Sequence, residues 1–182
     1  MKSFSNHFLI SMPHMNDPIF NKCLIYMCEN NPEGSLGLII NKPMFAQNTV
    51  DILEKTGLVG IDPTPKVYFG GPVNLEMGLI LHNAAYKIDG TLTVSDAVAL
   101  TSNKQIISDL KTGGGPKQFR FSMGYAGWGK GQLEREIEKG DWLIMPADLD
   151  CIFSVPDSDK WKAAATRFGI DISDLGGSAG IA

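Results

Sequence analysis

Cysteine, histidine and long apolar runs are scarce in this chain, and each shortage removes a class of function. Its 182 residues include three cysteines and three histidines. Cys23, Cys28 and Cys151 are odd in number and form no C-x-x-C pair, which argues against a disulfide framework and a zinc ribbon and leaves buried thiols as the reading. His7, His14 and His82 are scattered, without the H-E-x-x-H spacing that sets two ligands on one helix face, so neither a metal nor another cofactor is expected. No apolar run approaches the ~18 residues that span a bilayer. The opening "MKSFSNHFLISMPH" also lacks a signal peptide's apolar region and cleavage site, so the expectation is a cytoplasmic protein with no membrane partner. Positive charge is short as well. A formal net charge of -4 leaves no global basic excess to displace counterions from phosphates, and direct nucleic-acid binding is not expected.

What is present is the material of an ordinary globular core. Hydrophobic residues make up 43% and charged residues 20%, and the length suits a single domain spanning 1–182. "FLISM" (8–12) and "CLIYMCE" (23–29) read as strands, and "NNPEG" (30–34) turns the second into a third, "SLGLIIN" (35–41). "NTVDILEKTGL" reads as a helix capped by Asn48 or Thr49, with Val50, Leu53 and Leu58 roughly helically spaced and Gly57 as its stop. "KVYFGGPV" is a strand entering a Gly-Gly-Pro turn, with "MGLILHN" (77–83) as its neighbour. Short extended segments in "TLTVSDAVALTS" precede a helix that buries Ile106, Ile107 and Leu110 and stops at Gly113 to Pro116. "KQFRFSM" (117–123), "DWLIMPA" and "CIFSV" read as strands, "QLEREIEK" as a helix, and Trp161, Ala164, Ala165 and Phe168 share one face of a last helix. Strands outnumber helices and mostly follow one another without helical crossovers, which predicts an α+β fold with a largely antiparallel or mixed sheet.

One stretch invites a chemical reading. In "GYAGWGKGQLEREI" (124–137), Gly124-x-x-x-x-Gly129-Lys130 matches a phosphate-binding loop up to its last position, where the magnesium-holding Ser or Thr is replaced by Gly131. Without that hydroxyl, and so late in the chain, a nucleotide-hydrolysing loop is excluded. Two readings stay open. The glycines can permit positive φ and close backbone approach while Tyr125 and Trp128 fold onto the core. Alternatively, exposed amides and a helix dipole hold a small ligand that those aromatics wall in, with Gln132 and Glu134 facing the cleft. No G-x-S-x-G elbow is present, and His82 at the end of "GLILH" is either a general base at a strand terminus or a satisfied edge residue.

Taken together, "HFLISMPHMNDPIF", "EGSLGLIINKP", "FGGPV", "GLILH", "GYAGWGKGQLE", "WLIMPAD" and "RFGID" occur in an order that resembles the AlgH-like family of bacterial proteins, also called the YqgE family. The resemblance implies one α+β domain with a bifurcated, mostly antiparallel sheet curled into a pseudo-barrel and helices outside. It implies no established activity and no catalytic residues; the family's name reflects a proposed role in regulating alginate production. Asn30 and Ile181 stand where the family pattern is expected to have histidine. The leading expectation is therefore a binding or regulatory protein for an unknown small ligand or protein partner. Its cleft would be formed by loops at Asn41, Gly70, Gly71, His82, Tyr125, Trp128, Gln132 and Glu134. The alternatives are a hydrolase or transferase using His82 and Glu134, which must then lie close together, and a DNA-binding regulator, which the acidic charge disfavours.

Overall fold

The structure, a computed structural model, describes residues 3–173; the position of Ile181 lies outside the described residues. In chain order the elements are β1 (His7–Ser11), β2 (Leu24–Asn31), β3 (Gly34–Ile39), α1 (Ala46–Thr56), β4 (Val67–Phe69), β5 (Val73–Asn83), β6 (Leu92–Thr93) and β7 (Val98–Thr101). They continue as α2 (Gln105–Thr112), β8 (Phe119–Gly129), α3 (Gln132–Glu138), β9 (Trp142–Pro146), α4 (Leu149–Phe153) and α5 (Lys160–Arg167). The fold is α+β. Its strands run in the order β6-β7-β5-β8-β3-β2-β1-β9, all antiparallel, and the sheet bends into a half-barrel. β4 is the exception, pairing parallel to β8.

Successive residues of the central strands point to opposite faces, and both faces are covered, which is why these segments read as uniformly apolar. Phe8, Ile10, Leu24, Tyr26, Leu38, Leu79 and Leu81 fill one side of the sheet, which α4 and α5 cover with Ile152, Trp161 and Ala165. The other side carries two separate clusters. Leu9, Ile25, Met27 and Ile39 pack under Leu133 of α3, while Val67, Ile80, Phe121 and Met123 pack under Leu53 of α1 and Ile106 of α2.

β8 joins the two halves. On one edge it pairs with β5; on the other it pairs first with β4 through Phe121 to Met123 and then with β3 through Ala126 to Gly129. β4 and β5 are thus not neighbours, contrary to the expectation for "KVYFGGPV" and "MGLILHN": β8 lies between them. The chain passes from one edge to the other across the backbone of β8 at Gly70-Gly71. A Cβ on Gly70 would stand 2.3 Å from the carbonyl oxygen of Gly124, one on Gly71 2.1 Å from the carbonyl carbon of Tyr125, and one on Gly124 2.4 Å from the oxygen of Gly71. Gly124 also has φ +70, and the face under α1, α2 and α3 shifts from positions 121 and 123 to positions 126 and 128 across it.

Three other expectations change. The glycine-rich segment is strand up to Gly129, not a loop, and only Lys130 and Gly131 turn the chain into α3. "CIFSV" contributes to a helix, because Asp148 accepts a hydrogen bond from the Cys151 amide at 2.8 Å and caps α4; a short apolar run carries no period that separates strand from helix. α1 starts at Ala46, before both expected caps and without a side-chain cap, and it leaves Val50 exposed, as α5 leaves Phe168. Asn30 fastens the amino-terminal segment to the first hairpin, accepting from the Phe4 amide at 2.9 Å and donating to Ser35 Oγ at 2.7 Å.

Candidate functional site

The sequence-predicted residues fall into three places. Asn41 is bonded to backbone, accepting from the Leu24 amide at 2.8 Å and donating to the Lys22 carbonyl at 2.9 Å. His82 is fully buried between β7 and β8; Nδ1 lies 2.8 Å from the Asn83 carbonyl and Nε2 2.8 Å from Thr101 Oγ1, and burial holds its pKa below the usual 6.5. It sits opposite Phe119, at the start of β8. Glu134 follows the far end of that strand, which separates the two by roughly 30 Å of extended chain. Neither residue lines the clefts of the structure described below.

The remaining residues gather near the end of β8. Gly70 and Gly71 form the backbone crossing behind Tyr125. Tyr125 and Trp128 line a shallow groove of about 440 Å³ with Ser35, Leu36 and Val73. Trp128 is nonetheless mostly committed to packing: its ring stands edge-on to Trp142, and the two indole Nε1 groups both donate to Glu136 Oε2 at 2.9 Å. Gln132 accepts from the Gly129 amide at 3.1 Å and donates to Glu136 Oε1 at 2.9 Å. The first turn of α3 is therefore tied to the strand before it.

A larger opening lies between α1 and α2 on the face of the sheet that they cover. It encloses about 820 Å³ over a floor of Phe69, Ile80, Phe121 and Met123. Gly78 belongs to this floor: a Cβ there would meet the Phe121 ring at 2.9 Å, so the glycine lets the ring lie flat across the strand. Ile52 and Ile107 form the helical walls, and Leu75 and Met77 stand on the rim of β5 where its pairing to β8 shifts between Val73 and Gly78. Leu75 is 53% and Met77 38% exposed, although both face an apolar hollow. Lys55 and Lys104 line the same opening with Glu76, and neither lysine forms a salt bridge among the described residues.

This architecture has counterparts. A model of the AlgH-like family matches residues 8–173. The chain belongs to the AlgH-like family. A UPF0301 protein of Methylococcus capsulatus is 44% identical over 97% of this chain and 95% of its own, and one of Marinomonas sp. is 42% identical over 95% and 93%. The solution structure of the AlgH protein from Pseudomonas aeruginosa aligns with a TM-score of 0.77 at 36% identity, covering 100% of this chain and 97% of that one. A Corynebacterium diphtheriae protein aligns at 0.74 with 19% identity, covering 97% of this chain and 93% of its own, which speaks for the fold alone. These names state no reaction.

The AlgH-like chain offers little reactive chemistry elsewhere. Desolvation pushes the Cys23 thiol up to about 12 and Cys151 to about 11, so both stay protonated and poorly nucleophilic near neutrality. Among the described residues no group of three or more His, Cys, Asp and Glu side chains could hold a metal ion, and no helix is long and apolar enough to cross a membrane. Sequence reasoning missed the cleft between α1 and α2. Its available signal was "VNLEM" (73–77), whose apolar residues alternate as in a strand; which side a neighbouring element leaves uncovered is decided only by tertiary packing.

Proposed function

We propose that this AlgH-like protein is a cytoplasmic, non-catalytic binding protein whose ligand is a small amphipathic carboxylate seated in the cleft between α1 and α2. The observation that carries the reading is the pairing of an 820 Å³ apolar hollow with two lysines on its lining. Pockets of this size, mostly apolar with a few polar groups, suit small molecules. An alkyl chain would cover Phe121, Met123 and the exposed Leu75 and Met77, while its carboxylate would meet Lys55 or Lys104. No histidine or cysteine lines the hollow, and the burial of His82 in paired hydrogen bonds weighs against the hydrolase or transferase alternative that would use it with Glu134. Occupancy rather than turnover would then be the output, which suits a regulatory role such as an indirect one in exopolysaccharide production.

Three methionines, Met44, Met77 and Met123, line the cleft, whereas Met27 and Met145 are buried in other clusters. Protein labelled with ¹³C at methionine methyls is titrated with decanoate, decanol and decylamine. Decanoate should shift the three cleft signals saturably, more tightly than decanol, and leave Met27 and Met145 in place. Lys55→Gln with Lys104→Gln should remove the preference for decanoate. Equal response to all three compounds, or no response, would refute the reading.

A further inference from the structure

A second cleft, of about 580 Å³, opens where β8 enters the sheet. Its principal polar feature is Arg120. This side chain is 8% exposed, and its Nη2 donates to the Ile40 carbonyl at 2.6 Å and to Asp157 Oδ1 at 3.1 Å. The guanidinium carbon lies 3.7 Å from the centre of the Tyr68 ring, and the Tyr68 hydroxyl donates to Asp157 Oδ2 at 3.0 Å. One nitrogen is thus pinned from two sides and the planar group is stacked. Nε and Nη1 make no hydrogen bond among the described residues, while the residue lines the cleft.

Nε and Nη1 are not among the buried side-chain atoms left without a partner, so both reach the solvent of the cleft. Here the spare donors are available to a molecule in the cleft. Lys66 and Lys117 also line it; Lys66 is 70% exposed and only 3.5 Å from Asp157, so it is held over the same group. Asp62 is the acidic residue on the lining, and with Asp157 behind Arg120 the cluster keeps an excess of positive charge. The other walls are flat and rigid: Phe119, Phe153, Pro63, Pro65 and Pro116.

From this arrangement we infer an anion-binding site for a small phosphate monoester carried on a flat apolar ring. A phosphate oxygen accepts from the Nε–H of Arg120, a charge-assisted hydrogen bond from a guanidinium that is already fixed in place. Lys66 and Lys117 supply point charges from the rim, and the ring lies against the aromatic and proline walls. Because Ile40, Asp157 and Tyr68 already hold the guanidinium, little side-chain freedom is lost on binding. The site is separate from the cleft between α1 and α2: Arg120 and Phe121, adjacent on β8, face opposite sides of the sheet.

The test follows the Arg120 Nε–H resonance of the whole protein during titration with phenyl phosphate, inorganic phosphate and phenol at low ionic strength. Phenyl phosphate should move that resonance saturably, inorganic phosphate should move it with weaker affinity, and phenol should not. Lys66→Gln with Lys117→Gln removes two exposed charges, leaves Arg120 in place, and should weaken phenyl phosphate about tenfold. An amide spectrum of the double variant matching the parent outside the cleft confirms that it folds. An unmoved Arg120 resonance, equal binding by parent and double variant, or a response to phenol as strong as to phenyl phosphate would each overturn the inference.

Discussion

Replacing Gly124 by alanine sets a methyl group 2.4 Å from the Gly71 carbonyl oxygen and 3.0 Å from that of Val73. The first distance is roughly 1 Å inside ordinary contact. Neither oxygen is free to retreat, because the crossing segment is fixed to both sides: the Gly70 amide donates to the Met123 carbonyl and the Ile39 amide to the Gly70 carbonyl, each at 2.9 Å. The left-handed φ of +70 adds about 1 kcal/mol for a residue with a Cβ. Forcing an extra methyl into a packed, backbone-walled space costs a further ~1–3 kcal/mol. The sum is about 3 kcal/mol. Gly131 is the natural control, since its φ is +68 and a Cβ there meets only the tip of Arg135 at 3.0 Å. Gly131→Ala should therefore lose only the backbone part, about 1 kcal/mol. Urea unfolding followed by tryptophan fluorescence measures both, with Trp128 and Trp142 buried in mutual contact as reporters. In thermal unfolding the same values correspond to Tm losses of about 3 °C for Gly131→Ala and about 10 °C for Gly124→Ala. If Gly124→Ala falls within about 0.5 kcal/mol of Gly131→Ala, the argument from backbone crossing is wrong.

Other outcomes follow from buried polar groups. Lys160 is fully buried, and its Nζ donates to the carbonyls of Cys151, Ile152 and Val155 at the end of α4; Lys160→Met should cost about 3–5 kcal/mol in equilibrium unfolding by leaving those acceptors unpaired. Burial, followed by the nearby Arg120 charge, pushes the Lys160 ammonium from 10.5 down to about 8. The unfolded chain therefore binds a proton between about 8 and 10.5 that the folded chain has released, so this lysine makes stability rise with pH across that window. Buried thiols pull the opposite way above about 9, so the lysine contribution is read as parent minus Lys160→Met, and a flat difference from pH 8 to 10.5 would contradict it. Glu136→Gln keeps the shape but weakens acceptance from two indoles, and should cost about 1–2 kcal/mol with a changed tryptophan emission; unchanged emission would argue against the shared carboxylate.

The fold was legible where local pattern and tertiary environment agree. The hairpin from Leu24 to Ile39 is announced by two apolar runs around "NNPEG", and the stops at Gly57 and Gly113 are glycines in left-handed geometry. The failures share a cause. "YAGWG" lies in a match to a phosphate-binding loop, yet it is strand, and β8 requires glycine where another backbone crosses it. "CIFSV" lacked a period, and only Asp148 hinted at a helix start. For the binding regions, Tyr125 and Trp128 do meet in a groove, but the larger hollows depend on absent neighbours: nothing in "NLEM" states that its face is left open, and nothing in "FRFSM" states that Arg120 keeps two donors unspent.

The position of β8 between β3, β4 and β5 also imposes an order in time. While the chain is being synthesised, the β2–β3 hairpin and the β5–β7 unit exist before the strand that they share. Each then presents an open edge of amides and carbonyls, a template for the wrong partner. At ~5–20 residues per second, roughly two to nine seconds separate completion of Asn83 from completion of Gly129. The late strand must then enter with Gly124 beneath the 70–71 segment, joining regions about fifty residues apart, a long-range closure that slows folding. The strand that unites the sheet is thus also the last part of its centre to arrive, and the interval before it does is when the nascent protein is most exposed to aggregation.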